Sequence, residues 1–177
     1  PALLRAAGVT LELTALSMPL AVAAGLVLAA IRLSTRRWLR WPAATYIEAV
    51  RGTPLVVQIF LVYFSLPVLG KALQTDWLTW DSFTVGVFCL AGNYAAYEAE
   101  ILRAGLQAID RGQREAALSL GLSESQAFFS VVLPQAFRIV VPPLTNELVL
   151  LTKDSSLIYV LGLTAEQVRG GYGRMRI

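Results

Sequence analysis

Residues 115–137 read EAALSLGLSESQAFFSVVLPQAF, and the fold turns on how this stretch is understood. Gly121 stands where a helix C-cap glycine would stand, and Ser123 is followed three residues later by Gln126, the spacing of a capping box that opens a second helix. Pro134 disfavours helical geometry at Leu133, so the second helix is expected to break there before the chain turns apolar again. A helix, a tight turn and a helix therefore sit between two apolar runs. The plain reading is a solvated amphipathic loop on a membrane surface. The sharper one is that an insert tied at both ends to membrane helices transmits force.

The flanking composition is that of a membrane protein. Of 177 residues, 56% are hydrophobic and 15% charged, with a mean hydropathy of +0.60, against about 45–50% apolar and about 25% charged in soluble domains. The net charge is +3 and the pI about 9.3, but the arginines collect beside apolar runs instead of forming one basic face, which argues against nucleic acid as a partner. Cys89 is the one cysteine and histidine is absent, so an intramolecular disulfide is excluded and no zinc or haem ligand set is on offer. The first apolar run is too long for a signal-peptide core and is read as retained.

About 20 apolar residues cross a bilayer as a helix, and four such regions are expected in one transmembrane domain over residues 1–177. The first, 10–31, carries Ala21, Ala23, Ala24, Gly25, Ala29 and Ala30, small enough to let a neighbour approach, and ends in RLSTRRWLRW (32–41), a positive-inside flank with interfacial tryptophans. The second, 54–69, starts at Thr53 and Pro54 after an interfacial lead-in containing Glu48 and Arg51. The third, 83–104, is expected to leave the bilayer and run on as one helix, because Leu102, Leu106, Ile109, Ala116 and Leu120 keep helical spacing. The fourth, 137–163, is interrupted by PP, TNE and TKDSS and reads as a broken helix. Alternation places the amino terminus outside and the loop 105–135 in the cytoplasm.

Glu115-Ala116-Ala117, three residues, Gly121, nine residues and then Val131-x-Leu133-Pro134 resemble the EAA loop of ABC-importer permeases, with valine where isoleucine is usual. With YIEAVRGTPLVVQIFLVYFSLP, YAAYEAEILRAGLQAIDRGQREAALSLGLS and LPQAFRIVVPPLTNELVLLTKDSSL, the chain from 10 to about 167 resembles the permeases that take up polar amino acids, the histidine, glutamate, glutamine, arginine and opine group. The resemblance implies an all-α polytopic bundle of the ABC type I importer kind and a bacterial inner-membrane location. It also implies a second permease chain (homo- or heterodimer), a cytoplasmic ABC ATPase dimer and an extracytoplasmic amino-acid-binding protein. Glu115, Ala116, Ala117, Gly121, Leu122 and Ser123 would then couple to the ATPase. The chain has no GxxxxGK[ST] phosphate loop, so hydrolysis is expected on a partner; no enzymatic activity, cofactor or metal is assigned to this chain. The family's usual fifth helix is expected to be missing or replaced, since VRGGYGRMRI does not resemble it, leaving about four membrane helices.

Ionisable groups in a membrane need a reason, and Asn146, Glu147, Lys153 and Asp154 supply the candidate substrate pathway. They read either as an ion pair in which Lys153 or Arg138 neutralises a carboxylate, or as contacts for an amino acid's ammonium and carboxylate. Glu98 and Glu100 are read as interfacial and structural, residues 51–54 as a turn and helix start first and a gate second, Trp77 and Trp80 as interfacial anchors, and Tyr94 and Tyr97 as core packing. Asn93 reads as helix–helix glue or as pathway lining. The rival functions are an ion-coupled secondary carrier using the TKDSS break and a non-transporting permease fragment.

Overall fold

The structure, a computed structural model, describes residues 2–75, 78 and 80–159. These residues build α1 (Ala2–Leu33), α2 (Arg37–Arg51), α3 (Leu55–Ala72), α4 (Ser82–Gln107), α5 (Arg111–Ser119), α6 (Glu124–Ala127), a π-helical turn (Phe128–Val132) and α7 (Leu133–Asp154). Three helical stretches are long and apolar enough to cross a membrane: Ala6–Leu33, Leu55–Ala72 and the composite Glu124–Tyr159. The third expected span falls on α4, which is long enough at 26 residues but carries Asn93, Tyr94, Tyr97, Glu98 and Glu100 along its inner half. Its neighbours cover it. Leu90, Ala95, Ala96, Glu98 and Ala99 are each at most 1% exposed, with α1, α2, α3 and α7 all packed against this helix. Leu16, Leu26, Leu61, Val68 and Val149 point outward instead, as side chains facing lipid do.

α1 runs alongside α4 in the same direction. Ser17 donates its hydroxyl to the Val87 carbonyl at 3.3 Å, and further along Arg32 meets Glu100 at 3.3 Å. The contact is a stripe of small residues at four-residue spacing, Ser17, Ala21, Gly25 and Ala29, all buried, the arrangement that lets two backbones come close without a driving force from water. Ala23, Ala24 and Ala30 face away. At Gly25 a β-carbon would stand 3.0 Å from the Glu98 Cβ. Gly105 makes the equivalent approach to α7, where a β-carbon would collide with Val140.

Several expectations are corrected. α1, which contains the first expected span, is longer than that span and begins at Ala2. The lead-in before the second span is a full amphipathic helix, α2, which lays Ala43 and Ile47 against the bundle. The third span does not run on through residue 120. Asp110 accepts the Gly112 N–H at 2.6 Å, caps a new helix and turns the chain after Gln107.

Nor does Pro134 break the second helix of the hairpin. Leu133 is helical (φ −61°, ψ −44°), and the wider π turn just before it makes room for the ring. Gln135 donates its side-chain N–H to the Val131 carbonyl at 3.0 Å. α7 also continues through Pro142 and Pro143, because in hydrocarbon a bent helix leaves fewer unpaired backbone groups than an open loop. Among the described residues the break expected in the fourth region is confined to a turn at Ser155 and Ser156; residues 160–163 of that region, and the tail read as a replaced fifth helix, lie outside them.

Glu98 is not interfacial: it is 0% exposed and neither carboxyl oxygen has a hydrogen-bond partner. Glu100 is structural as expected, joining Arg103 at 2.6 Å and Arg32 at 3.3 Å. At the opposite end of α4, Asp81 caps the helix. The Thr84 hydroxyl donates to it at 2.5 Å and, with the Phe83 and Thr84 amides, holds this carboxyl below the ordinary aspartate range.

Gly105→Leu should destabilise the protein by about 1–3 kcal/mol, the usual cost of overpacking, because the new side chain must displace Val140. Gly8→Leu, at a position with nothing within 4 Å of its β-carbon, should leave stability unchanged. Thermal midpoints of the two detergent-solubilised variants compare them directly.

Candidate functional site

Two features stand out, a capped hairpin at one end of the bundle and a charged cavity at its middle. The hairpin forms where the sequence places it. Gly121 has φ +85°, a left-handed conformation that favours glycine. Its N–H bonds to the Leu118 carbonyl at 2.9 Å while the Leu122 N–H reaches Ala117 at 3.2 Å, so the last carbonyls of α5 are satisfied by a Schellman pair. Ser123 and Gln126 make both halves of the capping box, with Gln126 N–H to Ser123 Oγ at 3.3 Å and Ser123 N–H to Gln126 Oε1 at 2.9 Å. Arg114 and Glu124 form an ion pair across the turn, and Gln135 donates to Gln113 at 3.2 Å, tying the start of α7 to α5.

Of the six residues expected to couple to a partner, Glu115, Ala116, Gly121 and Ser123 are exposed and Leu122 is half-buried. Ala117 is buried at 4% and packs inward. Leu120 at 82% and Phe129 at 63% exposed add apolar surface to an otherwise polar tip. The sequence reading takes Leu120 only as an apolar position at helical spacing and does not single out Phe129.

The cavity, about 470 Å³, opens between the α2–α3 turn, the centre of α4 and the far half of α7. Its floor is polar and mutually braced. Tyr94 donates its hydroxyl to Asp154 Oδ2 at 2.8 Å, and Asn93 donates to Gln58 Oε1 at 3.2 Å. Gln58 in turn donates to the Val50 and Thr53 carbonyls at 2.8 and 3.0 Å, holding the turn of residues 51–54 at the rim. The Arg51 guanidinium lies over the Tyr97 ring, 5.2 Å from its centroid. Glu147 and Asp154, two helical turns apart on one face of α7, line the same space. One cation and two carboxylates thus border a half-open, partly apolar cavity, the kind of setting that selects a small charged ligand.

Depth follows from the Tyr94–Asp154 bond. Tyr94 lies 12 residues after Ser82 and 13 before Gln107, about 18 Å from either end of α4 at roughly 1.5 Å per residue. Asp154 is therefore level with the middle of the bundle.

The four candidate pathway residues divide between two faces of α7. Glu147 and Asp154 line the cavity, whereas Asn146 and Lys153 are exposed and do not. The partner of Asp154 is Tyr94, and the ion pairs among the described residues include neither Lys153 nor Arg138. Residues 51–54 form the turn and helix start expected of them and Tyr94 packs in the core as expected, and both, with the half-buried Tyr97, also line the cavity. Asn93 both lines it and bridges to α3. A signal was present: Gln58 sits four residues into an apolar run, a polar group that needs a partner there.

The family described as binding-protein-dependent transport system inner membrane component matches residues 21–176. The arginine transport system permease protein of Bacillus subtilis is 41% identical over 164 residues, 92% of this chain and 72% of that one. The octopine transport system permease protein of Rhizobium meliloti is 39% identical over 92% of this chain and 67% of its own length. The L-cystine transport system permease protein of Bacillus subtilis is 38% identical over 84% and 60%. Among solved structures, the crystal structure of an amino acid ABC transporter with histidines superposes with a TM-score of 0.77 at 42% identity, covering 86% of this chain and 68% of that one.

Because the Tyr94 hydroxyl and Asp154 bond directly, Tyr94→Phe and Asp154→Asn should couple by about 1–3 kcal/mol in a double-mutant cycle. Lys153→Gln with Asp154→Asn should be additive within about 0.5 kcal/mol. Unfolding of the three single and two double variants in mixed micelles measures both terms; rescue of Asp154→Asn by Lys153→Gln would contradict the observed pairing.

Proposed function

The chain belongs to the family of binding-protein-dependent transport system inner membrane components and is an integral-membrane permease subunit of the amino-acid ABC type; from that premise we propose the following working arrangement. The chain spans the membrane with α1, α3, α4 and α7, α4 crossing as the shielded helix at the centre. The amino terminus lies outside and the α5–α6 hairpin in the cytoplasm. A pair of cytoplasmic ATPases supplies the hydrolysis, an extracytoplasmic binding protein delivers substrate, and a second permease chain completes the pathway. That second chain covers the α7 face bearing Asn146 and Lys153, since a lysine level with mid-bundle needs a polar environment. No cofactor is assigned to this chain.

The substrate is a polar or charged amino acid. In the cavity its ammonium meets Asp154 and Glu147 and its carboxylate meets Arg51, whose positions favour a zwitterion over a simple ion. A single observation carries the mechanism: the helical path from Glu124 through the π turn to Asp154 joins the capped hairpin to the acidic side chains of the cavity. ATP-driven closure of the ATPases moves the docked hairpin. The π turn and α7 pass that displacement to Glu147 and Asp154, changing which side of the membrane the cavity faces. An ion-coupled carrier would have no use for an exposed apolar tip at Leu120 and Phe129, which favours the importer.

Gly121→Asp tests the coupling. The left-handed turn loses its glycine and gains charge at the docking tip, so the complex reconstituted with its ATPases and binding protein should keep ATP hydrolysis while substrate uptake falls at least about tenfold. Uptake at the parental rate would remove the hairpin from the mechanism.

Orientation is tested separately with a single cysteine at Ser119, in a chain whose Cys89 is serine. A membrane-impermeant maleimide should label it in inside-out vesicles and spare it in intact cells; labelling of intact cells would reverse the topology.

A further inference from the structure

The turn that carries Arg51 to the charged cavity has two carbonyls that its own backbone serves poorly. In a continuing helix the Val50 carbonyl would accept from the amide four residues on, but position 54 is a proline with no N–H to give. What remains is a long bond from the Thr53 N–H at 3.4 Å. The Thr53 carbonyl is passed over as well, because the Val57 N–H bonds to the Pro54 carbonyl at 3.0 Å.

One side chain serves both. Gln58, the fourth residue of α3, donates to the Val50 and Thr53 carbonyls at 2.8 and 3.0 Å. Its Oε1 accepts from Asn93 of α4 at 3.2 Å, and Asn93 is only 6% exposed. Carbonyls can only accept, so the orientation of the Gln58 amide is fixed and its donors and acceptor are engaged together. Other bonds at the turn are internal to the end of α2: the Gly52 N–H to the Glu48 carbonyl at 2.9 Å and the Thr53 hydroxyl to the Ala49 carbonyl.

Arg51 stands between the two clamped carbonyls. Its guanidinium rests over the Tyr97 ring, 5.2 Å from the centroid, and among the described residues no carboxylate pairs with it. The residue is thus fixed at both ends, its backbone by Gln58 and its head by Tyr97, and it lines the cavity with its charge uncompensated.

We infer that Gln58 is a positioning residue for transport: without touching the substrate, it holds Arg51 where the guanidinium takes the substrate's carboxylate, and through Asn93 it makes that placement depend on how α3 packs on α4. The inference rests on the role proposed above for Arg51. If the amide served only to fill orphan carbonyls, its removal would cost stability and leave ligand discrimination intact.

The test uses the complete permease–ATPase complex in nanodiscs, without the binding protein, so that the permease cavity alone is read. A labelled mixture of the common amino acids identifies the one retained, and its carboxamide, which lacks the negative carboxylate, is the comparison ligand. The parental complex should prefer the amino acid by at least about tenfold, the scale of one charge-assisted hydrogen-bonded pair. Gln58→Met keeps the length and removes the donors; it should shrink that ratio to within about threefold by weakening the amino acid alone, as Arg51→Gln does. In the Arg51→Gln background, Gln58→Met should change neither ligand by more than about twofold. Val57→Ala, at an exposed position of α3, should keep the parental ratio. Gln58→Asn, too short to reach both carbonyls, gives a second reading if the methionine variant does not assemble, and should lower the ratio at least about threefold. A ratio that survives the Gln58 changes, equal weakening of amino acid and amide, or a further loss on top of Arg51→Gln would each overturn the inference and leave the role of Arg51 standing. A ratio indifferent to Arg51→Gln, or no amino acid retained by the parental complex, would overturn that role and the inference with it.

Discussion

Polar groups inside a bilayer have to be covered by protein, and in this chain that requirement falls on one helix. α4 carries an asparagine, two tyrosines and two glutamates through its inner half, a load that lipid would not accept. The packing answers it with close approach. α1 lays a stripe of Ser17, Ala21, Gly25 and Ala29 against it, α7 presses Val140 onto Gly105, Ile158 closes on Gly86, and Tyr46 of α2 bonds to the Gly92 carbonyl. Glycine is needed at Gly25 and Gly105 for room, since a β-carbon at either would crowd the opposing helix. The apolar helices can then turn undifferentiated faces outward.

Beside the cavity the polar groups of α4 are paired with side chains of other helices. Tyr94 and Asn93, both buried, bond to Asp154 and Gln58, and the α2–α3 turn brings Arg51 over Tyr97. The braces matter as much as the charges. Gln58 fixes the turn by two carbonyl contacts while accepting from Asn93, so a movement of α3 relative to α4 alters the rim of the cavity. A bonded side-chain network of this kind has few intermediate positions, which suits the alternating access proposed above.

The hairpin and α7 form the other part of the proposed mechanism. Schellman pair, capping box and the Arg114–Glu124 ion pair leave the tip little freedom of its own, so force applied there passes into the π turn and α7 instead of being absorbed. Pro134, Pro142 and Pro143 lie along this path. Each removes an N–H without ending the helix, and the helix can bend at these points while still joining the tip to the acidic pair.

The amino-acid order alone determined whatever depends on neighbours a few residues apart. Gly121 ends a helix and Ser123 with Gln126 starts the next because the bonds involved span three to five residues. The apolar runs become helices because a membrane leaves the backbone no other partner. Even at this range spacing misleads at one point: Asp110 caps a new helix and turns the chain where the helical spacing of apolar residues continues. Tertiary structure decided which side of each helix meets which neighbour. Glu98 and Glu100 are two residues apart, yet one is sealed without a partner and the other joins two arginines. Asp154 belongs to Tyr94, 60 positions away, and not to adjacent Lys153. Consecutive helical side chains point about 100° apart, and the rotation that brings one of them onto a cavity is set by small-residue contacts on other helices, beyond the reach of local spacing.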